Sequence, residues 1–99
     1  MSQVVAVIDP VLREKIDKRR EVLQSIKEEL IDRLELDFQP DDIDDDVYLF
    51  GGGLQLDSID SMEIIIGMQS RFGVEIPEGD LSPLRTINTL ADFVQANQE

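Results

Sequence analysis

The chain has 99 residues, 41% of them hydrophobic, and a formal net charge of −13, which suits one domain with a single modest core. Cysteine and histidine are both absent; this excludes disulfides, thiolate metal sites and thiol catalysis, and removes the commonest general base. Residues 1–36 carry seven basic and eight acidic side chains and residues 37–99 carry two and fourteen, which argues against binding nucleic acid or an anionic membrane and for partners with basic surfaces.

The apolar run Val4 to Ile8 is too short to span a membrane and has no basic flank of the signal-peptide kind. A cytoplasmic protein is expected, with residues 1–8 frayed or, through their β-branched side chains, covering an exposed patch. Asp9 followed by Pro10 is a helix start, since aspartate accepts free amide bonds and proline suits the first helical position. Leu12, Ile16, Leu23, Ile26, Leu30 and Leu34 then mark one apolar stripe on a helix of up to about 27 residues. The cluster Lys18, Arg19, Arg20 interrupts that stripe. Packing is therefore expected to begin near Arg20, with the preceding turns projecting or forming a separate short helix. Residues 1–19 read as an N-terminal helical extension and residues 20–97 as the folded domain.

The stretch "DFQPDDIDDDVYLFGGG" holds Pro40, six aspartates and three glycines and reads as a long loop between the first two helices. Ile43, Val47, Leu49 and Phe50 are too apolar for solvent and should pin it across the core. Asp42, Asp44 and Asp46 alternate as calcium ligands do, but Val47 stands where the turn glycine of an EF-hand belongs and Gly53 where its glutamate belongs. No metal site is assigned.

A second helix is expected from Ser58 to Arg71. Ile64, Ile65, Met68 and Phe72 form its core stripe, and Ile59, Met62 and Ile66 a second, exposed stripe beside Asp60 and Glu63, the pattern of a docking face. Asp60 and Glu63 have capping-box spacing, and Asp57 with Asp60 places negative charge at the positive helix end. Ser82 and Pro83 allow only a short helical turn around residues 79–85. Thr86 caps a last helix, Ile87 to Ala96, with Ile87, Leu90, Ala91 and Val94 inward. The expected fold is all-α: an antiparallel four-helix bundle with one short third helix.

Ser58 makes a poor nucleophile, because the only lysines, Lys15, Lys18 and Lys27, lie on the first helix and no base is evident nearby. It suits a substrate. A hydroxyl at a helix start behind a glycine loop is accessible to another enzyme, and the helix N-terminus favours a phosphate attached there. Neighbouring carboxylates could hold the magnesium that such an enzyme brings.

The segments "LDSIDSMEI", "FGVEIPEGDL" and "TINTLADFV" together resemble the acyl carrier proteins, without a gap from Asp57 to about Gln95 and more loosely back to Arg20. The resemblance implies that Ser58 receives 4'-phosphopantetheine from coenzyme A through a phosphopantetheinyl transferase, with Asp57 helping to coordinate magnesium in that complex. It implies a recognition face of Ile59, Asp60, Met62, Glu63 and Ile66 for acyl-loading and condensing enzymes with basic docking surfaces. Ile64, Ile65, Met68, Phe72, Ile76 and Leu84 become candidates for an acyl pocket, although each also reads as ordinary core. Ser61 is the competing serine, one turn late in the pattern. The implied role is carriage of acyl groups as thioesters by a monomer, without catalysis.

Departures from the housekeeping fatty-acid pattern are a glycine-rich lead-in, "FGGGLQLDS", and Gln69, Ser70 and Arg71 where acids are common. The first helix also begins about ten residues earlier than the family needs. These point to a carrier serving a dedicated lipid or polyketide-like pathway. A peptidyl or aminoacyl carrier, and an unmodified acidic adaptor of the same fold, are the rival readings.

Overall fold

In the computed structural model, residues 9–77 and 79–98 are described; the expectation for residues 1–8 lies outside them. Three α-helices and two short 3-10 turns follow one another: α1 (Pro10–Leu34), a turn at Pro40–Asp42, α2 (Ser58–Phe72), a turn at Ser82–Leu84, and α3 (Ile87–Asn97). Among the described residues, extended pairing is limited to two isolated bridges, Tyr48 with Thr86 and Phe50 with Leu56. The fold is thus all-helical, with three α-helices. Where a short third helix of a four-helix bundle was expected there is one 3-10 turn: Pro83 confines its start, being tolerated only in a first turn, and Thr86, extended at φ −139° and ψ 172°, already caps α3.

α1 starts as expected, the Asp9 carboxylate accepting from the Val11 amide at 2.8 Å. It is one unbroken helix through Lys18–Arg20, so no separate short helix precedes the packed part. The reason is Arg19, which is absorbed by α3: its guanidinium donates to the Asn88 and Gln95 side chains at 2.9 and 2.8 Å and pairs with Asp92 at 2.9 Å. The stripe also needs correction. Leu12 and Ile16 are exposed, Leu23 and Leu34 are half-buried, and the buried line is Val22, Ile26 and Leu30. Val22 lay outside the expected stripe, whose upper part, Leu12 and Ile16, is exposed among the described residues.

α1 packs against both α2 and α3. The core between them contains Ile64 and Met68 from α2 and Ile87, Leu90, Ala91 and Val94 from α3, all at 0% exposure. Ile43 and Leu49 of the long loop enter it, with Val47 and Phe50 packed at its edge. The loop is laced to the far end of the chain: the Leu49 amide donates to the Arg85 carbonyl at 2.9 Å and the Asn88 amide to the Asp45 carbonyl at 2.9 Å. Its acids build turns and ties. Asp42 accepts from the Gln39 amide, Asp44 from the Asp46 amide, Asp46 from the Asn88 side chain, and Asp45 pairs with Lys27 at 2.6 Å.

At the C-terminal end, Thr86 and Thr89 cap α3 reciprocally, each hydroxyl accepting the other's amide at 3.1 and 2.9 Å. The Thr89 hydroxyl also donates to the Pro83 carbonyl at 2.8 Å. This ties the second 3-10 turn to α3 and places Leu84 in the core at 0% exposure.

Candidate functional site

The glycine-rich loop delivers the chain to α2 through a tight backbone crossing. A Cβ on Gly53 would run into the Tyr48 carbonyl, and the Leu54 amide donates to that same carbonyl at 2.8 Å. Leu56 is then buried and its amide bonds to the Leu49 carbonyl at 3.0 Å. One residue later the chain emerges at Asp57, so the start of α2 is anchored from behind.

Asp57 is the N-cap of α2, in extended conformation (φ −108°, ψ −178°). Its Oδ1 accepts from the Ile59 and Asp60 amides, both at 3.0 Å, while Asp60 Oδ2 accepts from the Asp57 amide at 2.9 Å. The capping box is therefore Asp57 with Asp60, not Asp60 with Glu63. Two carboxylates sit on the free amides of the helix start, where the dipole is positive.

Ser58 is the first helical residue and is exposed. Among the described residues its hydroxyl has no hydrogen-bond partner. Ser61 differs: it is half-buried, and its hydroxyl donates to the Ser58 carbonyl at 2.6 Å. Asp57 Oδ2 likewise has no hydrogen bond among the described residues, so one carboxylate oxygen beside Ser58 is not used in capping.

Past Ser58, Ile59, Met62 and Ile66 are 73, 58 and 46% exposed, forming the second apolar stripe on α2. Asp60 and Glu63 flank it and are half-buried. Glu63 is not free of the fold, since its Oε1 lies 3.6 Å from Arg33 Nη1 on α1. Arg33 is held in turn by Glu29, Nε to Oε2 at 2.7 Å. At the far end of α2, Arg71 turns back onto Glu29 and Glu28 at 3.2 and 3.3 Å. The chain of charge Arg71, Glu29, Arg33, Glu63 thus runs along the seam between α1 and α2. The bond to Glu29 is the leading reason that the Arg33 guanidinium holds its proton more firmly than a free arginine; partial desolvation opposes this and the Glu29 and Glu63 charges add to it. Sequence reasoning did not find this seam: the i,i+4 spacing of Glu29 and Arg33 on α1 was legible, but the pairs to Glu63 and Arg71 join different helices and no single-helix spacing encodes them.

Ile64, Met68, Ile76 and Leu84 are buried in the core, and Ile65 and Phe72 pack against it half-buried. They are contiguous with Val22, Ile26 and Leu30 in one hydrophobic cluster.

The all-helical domain thus displays a serine with no hydrogen bond among the described residues at a helix start, and beside it an apolar stripe rimmed by acids, a surface open to other proteins. Comparison with known proteins gives the domain a family. Residues 24–94 match the family described as the phosphopantetheine attachment site. The chain is 34% identical over 74 residues to the acyl carrier protein of Thermosynechococcus vestitus, covering 75% of this chain and 88% of that one. It is 32% identical over 80 residues to that of Rubrobacter xylanophilus (81% and 95% covered) and 30% identical over 78 residues to that of Lactobacillus acidophilus (79% and 94%).

The chain belongs to the acyl carrier protein family. It is a carrier and not a catalyst, and the family's prosthetic group is a covalently attached 4'-phosphopantetheine. The α2 start fits such a group, since it offers an exposed hydroxyl with no competing internal bond. Membership also implies interaction with a phosphopantetheinyl transferase and with acyl-handling enzymes. Among the described residues no helix is long and apolar enough to cross a membrane.

Proposed function

We propose that Ser58 carries the 4'-phosphopantetheine arm and that the protein ferries acyl groups in a dedicated lipid or polyketide-like pathway. The observation that carries the assignment is the contrast between two serines on one turn: the Ser61 hydroxyl is spent on the Ser58 carbonyl, and that of Ser58 has no partner among the described residues. The arm supplies the thiol that this cysteine-free chain lacks, for thioester attachment of cargo. The protein's own residues present the hydroxyl, hold the helix start through the Asp57–Asp60 box, and offer Asp57 Oδ2 to the magnesium of the transferase complex.

Ile59, Asp60, Met62, Glu63 and Ile66 form the partner-recognition face in this reading, supported by the exposure of the three apolar residues. Ile64, Ile65, Met68, Phe72, Ile76 and Leu84 form the wall that parts to admit an acyl chain; support comes from their shared position along the core. A dedicated pathway is favoured over housekeeping synthesis by Arg71, a cation at the end of α2 engaged with Glu28 and Glu29. The carrier unit spans residues 20–97, with 1–19 as its lead-in, and works as a cytoplasmic monomer.

Intact mass spectrometry tests the assignment. The purified chain is incubated with coenzyme A, magnesium and a broad-specificity phosphopantetheinyl transferase. Wild type and Ser61→Ala should each gain one arm and Ser58→Ala none. An arm on Ser58→Ala would overturn the assignment, and no addition to wild type by the cognate transferase would favour an unmodified adaptor.

A further inference from the structure

The recognition face described above contains an acid that the protein itself answers. Glu63 lies on the α2 face, yet a guanidinium from α1 stands 3.6 Å from its Oε1. That guanidinium is not a wandering surface charge. Glu29 Oε2 fixes its Nε at 2.7 Å, the second oxygen of Glu29 is committed to Arg71, and the Glu29 side chain is only 13% exposed. The backbone of α2 closes over the same pair: a Cβ at Gly67 would come within 3.0 Å of Arg33 Nε and of Glu29 Cγ and Oε2. Three constraints therefore set Arg33, and what remains free to point outward is the Nη1 end that meets Glu63.

We infer that Arg33 is a specificity-determining residue of the α2 face: it partly neutralises Glu63 in cis, so that a partner's cation must share Glu63 with Arg33 or displace it. This rests on the carrier reading above. Partners that depend on a salt bridge to Glu63 are handicapped, whereas partners that grip the stripe of Ile59, Met62 and Ile66 bind unhindered. Arg33 acts through Glu63 and is a positioning residue, not a contact residue. The two side chains are 27 and 44% exposed, so the handicap is set by a partly solvated pair and amounts to about a two- to fivefold change in apparent affinity.

The test uses the full-length apo chain as substrate of a broad-specificity phosphopantetheinyl transferase at low salt, with KM and kcat measured separately. The set comprises wild type, Arg33→Ala, Arg33→Gln, Arg33→Lys, Glu63→Gln and Arg33→Ala combined with Glu63→Gln, each checked for native helicity. The inference expects Arg33→Ala and Arg33→Gln to lower KM by about two- to fivefold at unchanged kcat, and Arg33→Lys to stay near wild type. In the Glu63→Gln background, replacing Arg33 should have no further effect. Equal KM for wild type and both neutral variants overturns the inference. So does an equal drop in the Glu63→Gln background, which would mark a bulk-charge effect. Modification that fails for wild type with the cognate transferase as well sinks the Ser58 carrier reading and this inference with it, a result distinct from modification with unaltered KM.

Discussion

Ser58 and Ser61 differ by one helical turn and by everything that matters to a modifying enzyme. The distinction follows from the N-cap: with Asp57 extended and capping, Ser58 falls at the first helical position and points away from the helix body, while Ser61 has a carbonyl three residues back to bond. Sequence spacing alone could not fix this frame, because Asp57, Asp60 and Glu63 recur every third residue and two capping boxes are equally legible. Burial of Leu56 settles it by ending the loop one residue before Asp57. At the same scale, Gly53 is required for a reason other than a left-handed backbone, namely the Tyr48 carbonyl occupying the space of a side chain. Gly53→Ala should lower stability by more than about 1 kcal/mol, as forced backbone displacement does, in urea unfolding followed by circular dichroism; an unchanged midpoint would mean the loop accommodates the methyl freely.

At the scale of elements, the bounds of α2 and α3 were readable almost to the residue because their signals are local: negative charge at the α2 start, the Thr86 cap of α3 and apolar spacing, although the α2 capping box was placed one turn late. All four inward residues named for α3 are fully buried. α1 was readable in extent, in the buried Ile26 and Leu30 and in where packing begins, but not in its upper turns, where Leu12 and Ile16 are exposed, nor in the fate of Lys18–Arg20, since Arg19 is held by Asn88, Gln95 and Asp92, some 70 residues away in sequence. The difference along α1 has a measurable form. Ile26→Ala should cost about 2 to 5 kcal/mol, being fully buried between α2 and α3, whereas Leu12→Ala on the same helix should stay within about 0.5 kcal/mol. Equal losses would show that the first turns of α1 are covered in solution. The raised proton affinity of Arg33 adds no pH dependence near neutrality. A cation whose affinity for its proton is raised by folding contributes fully below its unfolded pKa and loses that contribution only as pH climbs through the folded value, and for arginine both lie in strongly alkaline solution.

For the molecule as a whole, the charge imbalance acts on stability as well as on partners. A net charge of −13 on 99 residues repels itself in the folded state more than in the expanded one. Added sodium chloride should therefore raise the melting temperature by a few degrees between low and moderate ionic strength, as screening shortens the reach of these charges; a fall with salt would mean that pairs such as Arg19–Asp92 and Lys27–Asp45 dominate instead. The lacing of the long loop has a different consequence. The Leu49 amide donates to the Arg85 carbonyl and the Asn88 amide to the Asp45 carbonyl, so these two open only when the loop and the start of α3 separate, while the Leu54 and Leu56 amides close the glycine turn within the loop itself. In deuterated buffer, a stretch that belongs to no helix or strand should keep its protons as long as the core does, and the loop and α3 should surrender them together, as one cooperative unit.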